Sequence, residues 1–354
     1  MDYLQNFKRF LNIVIEQEAS DLHISAGHPP TLRITGQLLP LIKEKIISPE
    51  DCKNFASAIM GEARKQKFLA EKELDFSYDH EGKARFRVNI FSQMGNTSIA
   101  LRLIPAKIRT IEELNMPPIL HEFTGKTQGL VLITGASSQG KSTTLAALID
   151  EINHTRAVHV ITIEDPIEYI YEDSKAIVDQ REVGEDTLSF GNALKSSLRQ
   201  NPDVIMVGEM RDLETVSTAI TAAETGHLIF ATLHTNSSSQ SIHRIVDVFS
   251  SDQQNQIRTQ LASTLLGIVS QRLIPRISGG FIPACEVMVC NTAVASLIRE
   301  NKIHEIPTVI ETSSKEGMIT FNRYLSNLVR KKEISLNNAM DYSLNPSELK
   351  SLIR

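Results

Sequence analysis

The stretch that decides the fold reads Leu130-Val131-Leu132-Ile133-Thr134-Gly135-Ala136-Ser137-Ser138-Gln139-Gly140-Lys141-Ser142. Its last part, from Gly135 to Ser142, fits G-x-x-x-x-G-K-[ST], the Walker A pattern of phosphate-binding loops. The apolar run before the loop predicts a strand buried on both faces, and residues 143–152 predict a helix directly after it. Because the loop joins a strand to a helix, the match predicts a phosphate site and not an ordinary turn.

The chemistry of such a loop comes mainly from its backbone. The glycines let the chain wrap closely around phosphate oxygens, and successive N–H groups together with the helix N-terminus attract the anion. Lys141 is predicted to reach the β- and γ-phosphates of ATP, and Ser142 to hold Mg²⁺. The predicted nucleotide-binding residues are Gly135, Ala136, Ser137, Ser138, Gln139, Gly140, Lys141, Ser142 and Thr143.

Three further apolar runs predict buried strands, at residues 159–163, 204–207 and 228–233. Helical segments such as residues 213–224 lie between them, so the sequence predicts an α/β fold with a mainly parallel sheet. The runs are followed by Glu164, by Gly208 and Glu209, and by His234. Because the carboxyl ends of parallel strands form the edge where ligands bind, we expect these polar side chains to lie near the phosphate loop.

The two carboxylates have predicted catalytic roles. Glu164 is the candidate general base that orients and activates the attacking water, although Asp165 or Glu168 could share or replace this role. Glu209 is the candidate Walker B acid, which would act on Mg²⁺ through a water. The competing interpretation of each is a surface carboxylate that caps a neighbouring loop.

Imidazole and guanidinium groups supply the remaining candidates. His227 and His234 flank the fourth strand and could contact the γ-phosphate region, while a satisfied core histidine is the competing interpretation of each. Arg87 and Arg102 lie on neighbouring strand-like runs near the N-terminus and could supply arginine-finger charge. A solvated strand face is the competing interpretation of these arginines.

Proline breaks divide the chain. Residues 1–103 combine a helix at 4–17 with short alternating runs, which predicts an α+β domain. We place the linker at 104–118, where a short helix beginning at Thr110 lies between Pro105 and the pair Pro117 and Pro118. Residues 119–354 form the second domain. Its part after Asp252 is predicted to be mostly helical, with an apolar stripe at positions 257, 261, 265, 268 and 269.

Composition narrows the class of protein. The chain has 354 residues, a formal net charge of -5 and no Trp, which is not typical of a protein whose main partner is nucleic acid. A local basic groove on an acidic protein is the alternative that these numbers leave open. Cys52, Cys285 and Cys290 lack the spacing of a disulfide framework or a zinc site, which fits the reducing cytosol. No segment approaches the ~20 apolar residues of a transmembrane helix, so any membrane association is expected to occur through a partner or a surface contact.

Several segments occur in the order of one known family. They are Ser20-Asp21-Leu22-His23, Gly140-Lys141-Ser142-Thr143-Thr144-Leu145-Ala146-Ala147, Ile161-Thr162-Ile163-Glu164-Asp165-Pro166-Ile167-Glu168, Gln180-Arg181-Glu182-Val183, Val207-Gly208-Glu209-Met210-Arg211-Asp212-Leu213-Glu214-Thr215 and Thr221-Ala222-Ala223-Glu224-Thr225-Gly226-His227. With these segments the chain resembles the secretion-superfamily ATPases, most closely the PilT-like retraction ATPases of type IV pili. The resemblance covers nearly the whole chain.

The resemblance implies a fold and a function. The expected fold is a PAS-like N-terminal domain followed by a RecA-like P-loop ATPase domain with a helical C-terminal part, assembled as a homo-hexamer with nucleotide between the two domains. The expected function is ATP hydrolysis with Mg²⁺ that drives pilus retraction and twitching motility. The protein is expected to be cytoplasmic, to act on an inner-membrane pilus platform protein, and to have a paralogous retraction ATPase as a further candidate partner.

The resemblance also assigns roles to single residues. The catalytic glutamate of the family corresponds to Glu164 and its Walker B acid to Glu209. The histidine-box residues correspond to His227 and His234. The arginines of the family's first domain correspond to Arg87 and Arg102.

The sequence departs from the family pattern at two places. The usual loop filler is Gly-Pro-Thr-Gly-Ser, whereas here Gln139 stands in place of a small residue. The usual C-terminal motif is Ala-Ile-Arg-Asn-Leu-Ile-Arg-Glu. Residues 293–300 keep its apolar spacing and its final Arg299-Glu300 but lack the inner Arg-Asn pair.

Other functions compete with retraction. A PilU-like accessory retraction ATPase is a near neighbour. An ATPase of pilus or type II secretion assembly is disfavoured, because no extra domain precedes Ser20 and no tetracysteine zinc insert is present. Functions of a different class are a RecA-like motor that translocates nucleic acid and a nucleotide-dependent scaffold without hydrolysis. The acidic composition disfavours the first, and the intact catalytic candidates disfavour the second.

Overall fold

The protein consists of two compact units. Its structure is a computed structural model that describes residues 2–34, 36–104 and 107–353. The first unit comprises Met1–Lys107 and Asp165–Ile170, and the second comprises Ile108–Glu164 and Tyr171–Arg354. The predicted break at Pro105 lies outside the described residues, and the predicted limits of the domains and the linker stay predictions.

The described part of the first unit contains a six-stranded antiparallel sheet in the order β3-β2-β1-β6-β5-β4, with helices α1 to α3. Phe7 and Leu11 of the first helix pack in one core with Phe86 and Val88 of the sheet. The strands are β1 (Asp21–Ile24), β2 (Thr31–Ile34), β3 (Gln37–Pro40), β4 (Glu73–His80), β5 (Ala84–Gln93) and β6 (Asn96–Ile104). The helices are α1 (Tyr3–Glu16), α2 (Pro49–Ile59) and α3 (Glu62–Glu71).

The second unit contains a seven-stranded sheet in the order β13-β12-β7-β11-β10-β8-β9. All neighbouring strands are parallel except β12 and β13. The strands are β7 (Gly129–Thr134), β8 (His159–Glu164), β9 (Ile177–Glu182), β10 (Val204–Val207), β11 (Leu228–Leu233), β12 (Leu265–Pro275) and β13 (Phe281–Val289).

Helices connect the parallel strands and form the C-terminal part of the second unit. They are α4 (Ile119–Thr124), α5 (Lys141–Thr155), α6 (Phe190–Ser197), α7 (Leu213–Glu224), α8 (Ser238–Asp247), α9 (Gln254–Thr264), α10 (Thr292–Arg299), α11 (Ile306–Thr312), α12 (Phe321–Arg330), α13 (Leu336–Tyr342) and α14 (Pro346–Ile353). Short 3₁₀ helices span Ile303–Glu305 and Ser314–Glu316. No described helix is long and apolar enough to cross a membrane.

The sheet of the second unit brings the ends of its central strands together. Thr134 at the end of β7 pairs with Leu233 at the end of β11, and Val207 at the end of β10 pairs with Ala231 and Ile163. Every residue of β7, β10 and β11 is buried, which explains why their sequences are continuous apolar runs. The predicted α/β fold with a mainly parallel sheet is confirmed.

The prediction of a mostly helical region after Asp252 is wrong for residues 265–289. Helix α9 ends at Thr264, and the chain then forms the long hairpin of β12 and β13. Ile268 and Val269 are neighbours on a strand that is buried on both faces, so a run of apolar residues imitated a helical stripe. Strand β9 was not predicted, since its sequence Ile-Val-Asp-Gln-Arg-Glu is that of a polar strand at the edge of the sheet.

The predicted helix after Thr110 is only a turn. The reciprocal bonds of a capping box are present, because Thr110 N donates to Glu113 Oε2 at 3.0 Å and Glu113 N donates to Thr110 Oγ1 at 3.2 Å. Residues 111–115 form turns and do not continue as a helix. Pro117 and Pro118 follow at once and cannot donate the backbone bonds that a longer helix needs.

Candidate active site

The phosphate loop occupies residues 135–140, between the end of β7 and the start of α5. Gly135, Ser138 and Gly140 all have positive φ, at 149°, 62° and 81°. Three such residues in so short a segment fold the backbone into a tight bend, and Gly140 lies directly before the first turn of α5. The loop therefore presents its N–H groups beside the N-terminus of a 15-residue helix, where an anion is favoured.

Lys141 lies within this bend. Its side chain is buried, and its Nζ donates to the carbonyl oxygens of Gly135 and Ala136, each at 2.9 Å. The ammonium group is thus held against the start of its own loop. A phosphate in the loop would meet this charge together with the backbone donors.

The start of the loop has no room for a larger residue than glycine. A Cβ on Gly135 would lie 2.5 Å from the carbonyl oxygen of Gln271, and its φ of 149° is accessible only to glycine. We expect Gly135→Ala to lower the free energy of unfolding by about 2–4 kcal/mol and to weaken nucleotide binding, because either the loop or β12 must shift.

Gly279 offers a matched control for Gly135→Ala. It also has a positive φ, of 90°, but an added Cβ would meet nothing within 4 Å. Gly279→Ala should cost about 1 kcal/mol and leave nucleotide affinity unchanged. Denaturant unfolding and titration with a fluorescent ATP analogue measure both effects. Equal behaviour of the two variants would contradict the proposed steric role of Gly135.

His234 connects the loop to the next strands. Its Nδ1 lies 3.5 Å from Lys141 Nζ and 3.5 Å from Ser137 Oγ, and its Nε2 lies 3.0 Å from Glu209 Oε1. The carboxylate at Nε2 fits a ring that carries a hydrogen on Nε2 and donates it to Glu209. Lys141, Ser137, His234 and Glu209 therefore form one continuous set of contacts at the carboxyl edge of the sheet.

Glu209 is an ionised carboxylate in this arrangement. Burial alone would raise its pKa, but a hydrogen bond from Arg211 and the neighbouring His234 ring outweigh burial and lower the pKa below its ordinary value. Arg211 Nε donates to Oε1, the same oxygen that His234 contacts. The group can thus act as an acceptor for metal-bound water at neutral pH.

A cavity of about 420 Å³ opens beside Glu209 and His234. Arg211 lines it from the loop after β10, and His243 and Arg244 line it from α8. The cavity lies at the same edge of the sheet as the phosphate loop. It offers space next to the carboxylate for waters or phosphate oxygens.

Glu164 lies further along the same edge. It is buried at the end of β8, and its Oε1 accepts hydrogen bonds from Thr162 Oγ1 at 2.7 Å and from Gln180 Nε2 at 3.2 Å. In the strand order, β8 is three positions from β7, which corresponds to about 14 Å. Glu164 is therefore held firmly, at a distance from the loop that a nucleotide and an attacking water would have to span.

The side chains that hold Glu164 were not among the predicted site residues. Thr162 carried a weak signal, since it is the polar member of an otherwise apolar run of strand β8. Gln180 could not be placed, because it lies on the unpredicted strand β9. The backing of the loop by Gln271 was missed for the same reason, since β12 was taken for a helix.

His227 is not part of this arrangement. It precedes β11, whereas His234 follows that strand, so seven residues of about 3.3 Å each separate them by about 23 Å. The His227 ring contacts the end of α7, with Nδ1 at 3.0 Å from the carbonyl oxygen of Ala222. The His227 ring therefore does not reach the phosphate loop of the same chain, and its catalytic role stays a prediction.

Arg87 and Arg102 lie side by side in the first unit, as a directly opposed pair on β5 and β6. Each has a carboxylate nearby: Arg87 Nε lies 3.6 Å from Asp75 Oδ1, and Arg102 Nε lies 3.0 Å from Asp21 Oδ1. The carboxylates offset the repulsion between the two opposed cations. The arginine-finger role of both residues stays a prediction.

The side chains near the phosphate loop could bind Mg²⁺ only if phosphate oxygens of a nucleotide supplied further ligands. The described residues contain no cluster of three or more His, Cys, Asp or Glu side chains that could hold a metal ion. Mg²⁺ commonly uses one or two protein ligands together with waters and phosphate oxygens. The exposed hydroxyl of Ser142, in the first turn of α5, and the ionised Glu209 fit that requirement.

The chain is similar to known secretion and pilus proteins along nearly its whole length. A model of the type II/IV secretion system protein family matches residues 4–333. The chain is 44% identical over 330 residues to the type IV pilus retraction ATPase PilT of Pseudomonas aeruginosa, which covers 92% of this chain and 94% of that protein. It is 40% identical over 349 residues to the type IV pilus ATPase PilU of the same organism, which covers 98% of this chain and 91% of that protein.

A solved structure shows the same architecture. The crystal structure of the pilus retraction motor PilT with bound ADP matches with a TM-score of 0.91 and 46% sequence identity. The match covers 97% of this chain and 98% of that chain. At this coverage the structural similarity extends through both units, and the residues matched by the family model include the phosphate loop.

Proposed function

The chain belongs to the type II/IV secretion system protein family, and we propose that it is a hexameric ATPase that drives the retraction of type IV pili. The observation that carries the ATPase function is the continuous set of contacts from Lys141 through His234 to Glu209. The retraction function is supported by similarity along nearly the whole length of a retraction ATPase.

The phosphate loop binds the nucleotide. Its N–H groups and the N-terminus of α5 donate to phosphate oxygens, and Lys141 contributes a positive charge at the β- and γ-phosphates. Gly135, Ala136, Ser137, Ser138, Gln139, Gly140 and Thr143 form the remainder of the proposed cradle. A loop that is already folded around this space reorganises little when the triphosphate binds.

Glu164 is the proposed general base. It orients a water for attack on the γ-phosphorus and accepts a proton from it as the bond between that phosphorus and the β,γ-bridging oxygen breaks, which leaves ADP and inorganic phosphate. Thr162 and Gln180 fix the carboxylate by donating to Oε1. His234 links the charge of Lys141 to Glu209 across the γ-phosphate side of the site.

Mg²⁺ is the proposed metal cofactor. Ser142 and Glu209 would hold it, the latter through a water, and when bound the ion neutralises negative charge on the phosphate oxygens. Glu209 is suited to this role because Arg211 and His234 keep its pKa low, so the carboxylate remains ionised across the physiological pH range.

The mechanical action of the motor takes place away from the nucleotide site. We expect six copies to form a ring in which ATP binding and hydrolysis cause rigid-body changes that act on an inner-membrane platform protein. Pilin subunits would then leave the base of the fibre. The protein would be cytoplasmic and reach the inner membrane through partners. A paralogous retraction ATPase is a further proposed partner, because the chain also resembles PilU over 98% of its length.

Deletion of the gene tests retraction directly. Cells without a retraction motor should be hyperpiliated and should lose twitching motility, since fibres still assemble but are not withdrawn. Electron microscopy of surface pili and a surface-motility assay measure both features. Bald cells would contradict retraction and indicate an assembly motor. Hyperpiliated cells with substantial residual motility would indicate an accessory, PilU-like role.

ATP turnover by the purified protein distinguishes a retraction ATPase from a nucleic-acid motor and from a scaffold without hydrolysis. Steady-state phosphate release is expected without nucleic acid. Stimulation by DNA would instead indicate a nucleic-acid motor, and nucleotide binding without phosphate release would indicate a scaffold.

A further inference from the structure

Gln271 joins two elements of the phosphate site although it lies far from them in sequence. It is on β12, only 1% exposed, and both ends of its side-chain amide are engaged. Its Nε2 donates to the carbonyl oxygen of Gln139 in the loop at 2.7 Å, and its Oε1 accepts from Thr144 Oγ1 in α5 at 2.9 Å. One buried amide therefore holds the loop and the first turn of the following helix at the same time.

The strand backbone contacts the loop as well. Leu273 N donates to Gln139 Oε1 at 2.8 Å, a bond that the usual small residue at position 139 could not make. The carbonyl oxygen of Gln271 blocks any side chain at Gly135, and a Cβ on Gly140 would lie 3.3 Å from Gln271 Nε2. Strand β12 thus lies against both ends of the loop.

The bond to Gln139 also sets the direction of a phosphate donor. In a trans peptide the carbonyl and the N–H point in opposite directions. When the carbonyl oxygen of Gln139 is held against Gln271, the N–H of Gly140 is turned away from that side chain. The bond to Thr144 fixes the start of α5, which supplies the other backbone donors.

We propose that Gln271 is a positioning residue that holds the phosphate loop and the N-terminus of α5 in the arrangement that binds the triphosphate. It acts through Gln139 and Thr144. The proposal depends on one part of the proposed ATPase function, namely that the phosphate loop binds nucleotide. In this chain, Gln139 adds a second bond between the loop and β12.

The test is replacement of Gln271 by methionine, which keeps the length of the side chain and removes both hydrogen bonds. The KM for ATP and the Kd for a fluorescent ATP analogue should rise about tenfold, while kcat at saturating ATP should change less than about threefold, because the reacting groups are untouched. Thr144→Val removes one of the two bonds with almost no change of shape and should raise KM by about threefold.

Asn322 provides a matched structural control. It is another buried amide of the second unit, and its Nδ2 donates to the carbonyl oxygen of Asn345, just before α14, at 3.0 Å and to Glu348 Oε2, within α14, at 2.7 Å. Asn322→Leu should lower the melting temperature, as Gln271→Met also should, but it should leave the KM for ATP unchanged. If both variants lower the melting temperature but only Gln271→Met raises the KM for ATP, Gln271 positions the loop and does more than pack in the core.

The outcomes are distinct. If Gln271→Met and Thr144→Val keep the wild-type KM, the positioning role is overturned while the ATPase function stands. If Gln271→Met does not fold, the threefold rise expected for Thr144→Val supports the proposal, and an unchanged KM in that variant overturns it. A wild-type protein that binds no ATP would overturn both the proposed function and this inference.

Discussion

Replacement of Glu164 by glutamine is expected to reduce ATP turnover by about 100- to 10,000-fold while ATP still binds. The amide keeps the shape of the carboxylate but cannot accept the proton of the attacking water. Thr162 and Gln180 donate to one carboxylate oxygen, and the glutamine side chain retains an oxygen that can accept the same bonds. Phosphate release and binding of a fluorescent ATP analogue distinguish lost chemistry from lost affinity.

The neighbouring residue provides the comparison for this variant. Asp165 follows Glu164 directly but is exposed, whereas Glu164 is 8% exposed. Asp165→Asn removes the same charge one residue further along, and we expect it to retain most of the turnover. If Asp165→Asn abolished phosphate release and Glu164→Gln did not, the base would have been assigned to the wrong carboxylate. A normal rate in both variants would direct the search to Glu168.

The parts of the site that the sequence predicted share one property. Each is a polar residue that follows a buried apolar run, so a local pattern places it at the carboxyl edge of the sheet. Lys141, Glu209 and His234 are of this kind, and the structure joins them through direct contacts. The short connections of a parallel α/β sheet leave few other arrangements for such residues.

The parts that the sequence did not predict depend on long-range pairing. Gln271 reaches the loop only because β12 pairs with β7, and nothing in the local sequence shows that residues 265–275 form a strand and not a helix. Gln180 depends in the same way on β9 pairing with β8. A short apolar run fits the periodicity of a helix and that of a strand equally well. Pairing with a neighbouring strand in the folded protein therefore decides which of the two forms. His227 and His234 flank the same strand in the sequence, but the structure places them at opposite ends of that strand.

Replacement of Lys141 by methionine is expected to impair both ATP binding and ATP turnover, whereas Glu164→Gln is expected to impair turnover alone. Methionine has a similar length but no charge, so the phosphates lose the ammonium group that lies in the loop. Removal of one preorganised charged donor costs about 100- to 1,000-fold in rate, and the affinity for ATP should fall as well because the same group contacts the ground state. Phosphate release and equilibrium binding measure the two effects.

Comparison of the Lys141, Glu164 and Gln271 variants tests which residues act in ATP binding and which act in hydrolysis. Lys331→Met is the matched control, since it removes an exposed ammonium group at the end of α12 in the same unit and should change neither measurement. Gln271→Met should weaken binding with little loss of kcat, Glu164→Gln should stop turnover with little loss of binding, and Lys141→Met should impair both. Lys141 lies in the bend of the loop and contacts His234, as Ser137 also does, so it is the charged group that joins phosphate binding to the Glu209 side of the site. Normal ATP affinity in Lys141→Met would show that residues 135–142 do not bind the triphosphate, and the roles proposed for Glu209, His234 and Gln271 would then lose their common basis.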